Sequence, residues 1–129
     1  MTLRPPRASS RTSHDAALDY EIAREQASAL GRQGRALEAA LAALAAHDRG
    51  GAQPGAQAAA ARAPRDTPSR AELIQDASDA LWCFIVQREA CGLRDPRPVF
   101  GDYRVPAEVQ NRMGAFGHGR LPSGRHGRR

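Results

Sequence analysis

Between Leu18 and Leu44 the apolar residues recur at helical spacing. Placed about 100° apart on a wheel, Leu18, Ile22, Ala29, Leu30, Ala36, Leu37, Ala40, Leu41 and Leu44 share one arc of about 140°. A stripe of that length commits the segment to a helix and demands a second apolar surface to cover it. Ser13 is suited to cap its start, and Asp15 and Asp19 stand where the positive end of the helix dipole favours carboxylates. The pattern predicts a long helix over 14–48. Gln26 and Gln33 interrupt the stripe at a coiled-coil spacing of seven, either as edge residues or as register-setting polar groups. Ala23, Ala27, Gly31 and Gly34 make a second face of small residues, over which another backbone can pass closely. The two glycines equally permit a kink, since each costs about 1 kcal/mol relative to alanine inside a helix.

The covering surface is expected from residues 69–91. Ser69 and Glu72 have the spacing of a capping box, and Gly92 is a natural left-handed stop. One side of this helix carries Leu73, Ile74, Ala77, Ala80, Leu81, Phe84, Ile85 and Cys91. Trp82, Cys83, Val86 and Ala90 fall on the other. A single partner helix covers only one face, so the Trp82 and Val86 side must meet the C-terminal segment or another subunit. Asp95 can cap a short helix reaching Tyr103, and Pro106 suits the first turn of another, with Val109 and Met113 on one face and Gly114 at its end. Residues 49–68, rich in Ala, Gly and Pro, read as a flexible linker in which the alanines at 58–61 form helix only transiently. The expected fold is all-α: an antiparallel helical hairpin plus one or two short C-terminal helices within 69–114, flanked by disordered basic tails at 1–13 and 115–129.

Charge divides along the same boundaries. All nineteen basic residues are arginine. Arg4, Arg7, Arg11, Arg120, Arg125, Arg128 and Arg129 stand in terminal segments without an acid, so the net +5 of the chain belongs to its ends. Residues 13–113 carry a net −2, which argues against the folded part as a nucleic-acid reader. Those seven arginines are the candidates for weak, non-specific phosphate contacts. No apolar run approaches the ~20 residues that span a bilayer, and no membrane partner is expected.

Little in the sequence points to catalysis. His14, His47, His118 and His126 are scattered, with no pair at metal-ligand spacing. Cys83 and Cys91 lie eight apart on one helix, about 12 Å along its axis, too far to bridge, and read as small core residues in a reducing cytoplasm. Gly31 and Gly34 follow no strand and make no phosphate loop. No catalytic, cofactor-binding or metal-binding residue is expected, and the chain is read as a non-enzyme. Arg88 falls at the centre of an apolar arc. Buried, it needs a carboxylate, the candidates being Glu21, Glu25, Asp95 and Asp102, or several carbonyls; otherwise it turns outward and meets the carbonyls at the helix end. The face formed by Trp82 and Val86, beside Ala23, Ala27 and Gly31, is the candidate for association with a second copy or another helical protein.

Residues 27–38 (ASALGRQGRALE) and 81–95 (LWCFIVQREACGLRD), with 103–109 (YRVPAEV) and Arg112 to Gly114, resemble a family of small bacterial proteins that carries only a domain-of-unknown-function label. The resemblance covers both helices and the C-terminal turn. It implies that residues 15–114 form one module, and implies no activity, cofactor or catalytic residue.

Overall fold

A computed structural model describes residues 9–114, with burial described from residue 12. Among these residues there is no strand. The elements are α1 (Ser9–Gly51), α2 (Ala56–Arg62), α3 (Arg70–Ala90), α4 (Arg97–Asp102) and α5 (Ala107–Arg112). None of the described helices is long and apolar enough to cross a membrane.

α1 is a single helix of 43 residues, about 64 Å long at 1.5 Å per residue. It is continuous through Gly31 and Gly34 and begins before Ser13, which lies within the helix and not at its cap. The first helix therefore exceeds its expected 14–48 span at both ends. The expected linker also holds the seven-residue helix α2. Alanine, which loses no side-chain freedom on helix formation, makes up five of its seven residues. None of them is buried.

α3 starts as its sequence dictates. The Ser69 backbone N–H donates to the Glu72 carboxylate at 2.8 Å and the Glu72 N–H donates back to the Ser69 hydroxyl at 3.3 Å. Past its end Gly92 takes φ +86°, and the Leu93 N–H returns to the Arg88 carbonyl at 2.8 Å. Asp95 accepts the Arg97 backbone N–H at 3.0 Å at the entry to α4. At the turn from α4 to α5 Arg104 holds φ +49° where a glycine would be unstrained.

Two contacts give the pairing of the long helices. Asp48 meets Arg70 and Gly34 meets Phe84, so a fall of 14 along α1 matches a rise of 14 along α3, as in an antiparallel pair. The core between them consists of Leu37 and Leu44 from α1 and Leu73, Ile74, Ala77, Leu81, Phe84 and Ile85 from α3, closed by Val99, Val105 and Val109. The Ser78 hydroxyl, buried there, donates to the Ile74 carbonyl at 2.7 Å, with the Val109 carbonyl alongside at 3.2 Å, which ties α5 to α3.

Where α3 lies alongside, the buried face of α1 is shifted from the expected arc: Leu30, Leu37, Leu41 and Leu44 point inward, while Ala36 is exposed and Gly34 is buried. Leu18 and Ile22, also of that arc, are exposed because they stand beyond the end of α3. A Cβ at Gly34 would stand 2.9 Å from the Tyr103 hydroxyl and 3.4 Å from the Phe84 ring. These two rings, edge-on at 5.4 Å, fill the space that the missing side chain leaves over Gly34.

One polar contact joins three elements. Arg70 donates from Nε to Asp48 at 2.8 Å, near the end of α1, and from Nη1 and Nη2 to both oxygens of Glu108 on α5 at 2.8 and 2.7 Å. These hydrogen bonds hold both carboxyls below the ordinary carboxylate range, against a smaller opposing effect of burial. Because the folded-state values are depressed, the contribution to stability is present above the unfolded values and is lost as pH falls through the folded ones. On lowering pH from about 6 to about 2, the gap in melting temperature between wild type and Arg70→Gln should close. A gap that persists unchanged at the acid end would show that Arg70 acts by packing alone.

Candidate interaction surface

The register of the hairpin leaves much of α1 without a neighbour. Extending the antiparallel pairing, the last residue of α3, Ala90, comes opposite about residue 28 of α1. Burial agrees: residues 12–25 are all exposed, and Gln26 is the first residue of α1 to be half-buried. About 17 residues of helix, Ser9 to Glu25, roughly 26 Å, thus project beyond the bundle. On this overhang Leu18, Tyr20 and Ile22 are 56%, 67% and 48% exposed. The signal was present in the sequence as unequal lengths, since a helix over 14–48 is too long to be covered by one over 69–91.

The structure places the expected interaction residues in two groups, one on each long helix. Ala23 and Ala27 are exposed on α1 at the overhang and its junction with the bundle, and Gly31 is half-buried at the bundle's edge. Trp82 is half-buried, its ring within 3.5 Å of where a Cβ on Gly114 would stand, while Val86 is 44% exposed. The turn carrying Val99, Phe100 and Tyr103 packs toward Phe84 and not over Val86. Leu93, just after the end of α3, is 46% exposed, and Ala90 is exposed as well. Sequence reasoning missed Leu93 and Tyr20, which stood outside the apolar arcs.

Arg88 does not form the expected ion pair. It donates from Nη2 to the backbone carbonyl of Asp95 at 3.4 Å, and its guanidinium lies 5.9 Å from the centre of the Phe84 ring. Its Nε is buried without a hydrogen-bond partner. The candidate carboxylates are engaged or distant: Glu25 binds Arg32 at 2.9 Å, Asp95 binds Arg97 at 3.0 Å, Glu21 stands on the overhang and Asp102 lines a groove beside α1. Hydrogen bonds from Arg97 hold the Asp95 carboxyl below its usual range, with a smaller share from the charge of Arg88. The reversal at Gly92 brings a carbonyl back over the helix end, and that oxygen takes the place of an acid.

The cysteines differ from expectation as well. Cys83 is exposed on the outer side of α3 and Cys91 is half-buried, and both thiols are free. The groove beside α1, about 750 Å³, is walled by Leu41, Ala45, Tyr103 and Pro106 and edged by Glu38, Asp48 and Asp102. No histidine or cysteine lines it. Among the described residues no three His, Cys, Asp or Glu side chains are grouped to hold a metal ion. Of the phosphate-contact candidates, Arg4, Arg7, Arg120, Arg125, Arg128 and Arg129 lie outside the described residues, and Arg11 is described only as part of the α1 backbone. No family model, curated protein or solved structure matches this chain.

Proposed function

We propose that this chain is a non-enzymatic helical interaction module whose projecting α1 segment docks onto another helical surface. The observation that carries the reading is the overhang itself. A helix of about 17 residues is marginal in water when nothing packs against it. Here such a segment continues a packed helix outward while presenting Leu18, Tyr20 and Ile22 to solvent. A second surface that covers those side chains turns an exposed helix into a stable one. The free thiols of Cys83 and Cys91 fit a reducing compartment such as the cytoplasm.

A photo-crosslinking residue placed at position 22 of the full chain, expressed in its native host, tests this reading. The expected result is one discrete adduct, formed either with a second copy or with another protein, and absent when the crosslinker replaces the exposed Ala71 at the far end of α3. Equal, diffuse labelling at both positions would overturn it.

A further inference from the structure

We infer that the groove beside α1 is the seat of the chain's own C-terminal segment, with Leu121 between its apolar walls and Arg120 and Arg125 at its acidic rim. The inference is independent of the overhang, which lies at the other end of α1.

The groove combines two kinds of surface. Leu41 and Ala45 of α1, with Pro106 ahead of α5, give it apolar walls. Its rim carries Glu38, Asp48 and Asp102 against Arg104. Asp48 is already engaged by Arg70. Glu38 and Asp102 are exposed, and among the described residues their carboxylates have no hydrogen bond or ion pair. With Arg70 and its second partner Glu108 counted in, the site keeps a net −2. An occupant that suits it sets an aliphatic side chain between cations.

Residues 115–129, which lie outside the described residues, have that composition. They hold Arg120, Arg125, Arg128 and Arg129 and no acid. Their one large aliphatic residue, Leu121, directly follows Arg120, with Arg125 four positions on. Chain geometry brings this segment within range. Gly114 stands beside the Trp82 ring on α3, so the chain has to return across α5 to meet α1. From Pro106 through the six residues of α5 to Gly114 the backbone covers no more than roughly 20 Å. The seven residues from Ala115 to Leu121 extend to about 23 Å, enough to set Leu121 back against Pro106 and Leu41. The other basic end of the chain is excluded by the same arithmetic. Ser9 lies about 44 Å along α1 from Glu38, and the eight residues before it extend to about 29 Å at most. Tethering also favours the chain's own segment over a free basic peptide. A short linker holds it at an effective concentration on the order of millimolar, so a contact too weak to capture a free peptide at micromolar concentration is occupied.

A photo-crosslinking residue in place of Leu121 in the purified full chain, with adducts mapped by mass spectrometry, tests the inference. The expected product is monomer-sized and joins position 121 to residues 38–48 or 102–106. Glu38→Lys with Asp102→Lys should lower its yield at least about threefold, since each exposed pair contributes little alone and both are reversed together. Asp76→Lys, at an exposed acid of α3 away from the groove, should leave the yield unchanged. All three acids are exposed and unpaired among the described residues, so these variants should keep their helical circular dichroism. Arg120→Glu with Arg125→Glu should lower the yield similarly and cannot disturb the core, which is drawn from residues 37–109. Combining both reversals in one chain should restore it. Adducts scattered over the surface, or a yield indifferent to the groove charges, would overturn the groove as the seat. A dimer-sized product would overturn the same-chain occupant, and failure of the combined reversal to restore the product would overturn the pairing of these arginines with Glu38 and Asp102.

Discussion

Leu81→Ala should leave most of the chain unfolded under conditions in which the wild type is folded. Leu81 is fully buried at the centre of the α3 face, and the apolar core around it is small. Truncating a buried leucine to alanine removes about 2 to 5 kcal/mol, the spread reflecting how far the site collapses onto the cavity. A single core of this size supplies only about 3 to 5 kcal/mol in total. The two quantities are of the same order, so the native population is largely lost. Urea unfolding followed by far-ultraviolet circular dichroism checks this, with Leu18→Ala as the control. Leu18 touches no core residue, and its truncation should shift the midpoint by less than about 0.5 kcal/mol equivalent. A Leu81→Ala protein within about 1 kcal/mol of wild type would mean that the hairpin is not packed on this face.

The second large effect is expected at Gly34, in a series with Gly31. At Gly31 a methyl group would meet only the end of the Arg35 side chain, at 3.4 Å, so Gly31→Ala should gain close to the full helix-propensity difference of about 1 kcal/mol. At Gly34 the same methyl group would stand 2.9 Å from the Tyr103 hydroxyl. That hydroxyl is the far end of a half-buried side chain and can tilt, so the propensity gain and the displacement should nearly cancel in Gly34→Ala. Gly34→Leu adds three more carbons toward the Phe84 ring, which is packed in the core and has little room to yield. Overpacking of this kind costs about 1 to 3 kcal/mol. For a domain of this size that is a melting temperature lower by roughly 4 to 20 °C. Thermal unfolding should therefore rank Gly31→Ala above wild type and Gly34→Leu well below it. Equal melting of Gly34→Leu and Gly34→Ala would show that α1 does not approach Phe84 as closely as the structure places it.

Gly34 also shows where sequence reading reached its limit. Its membership of a small-residue face is visible in the spacing of Ala27, Gly31 and Gly34, and so is the chance of close approach. Which member of that face would be buried depended on what stood opposite. Phe84 and Tyr103, far away in sequence, fill the space over Gly34 only, while Ala23 and Ala27 stay exposed. Arg88 was recognisable as a cation amid apolar neighbours that a carboxylate or main-chain carbonyls would have to satisfy, but which carbonyl comes into reach depends on the turn past Gly92 and not on residue type.

What the sequence determined by itself is the set of features that depend on neighbours within a few positions. These are the all-α class, the capping box at Ser69 and Glu72, the left-handed stop at Gly92, the short C-terminal helices and the two-faced character of α3. Each rests on hydrogen bonds or side-chain periodicity within one or two helical turns, and short-range geometry is encoded in short-range composition. Tertiary structure alone decided the burial of Gly34 in place of Ala36, the Arg70 contact that spans 22 residues to Asp48 and 38 to Glu108, and the exposure of Ile22 beyond the end of α3. Those depend on the register between α1 and α3. Register is settled by the summed packing of side chains contributed by both helices, so no window of sequence from either helix contains it.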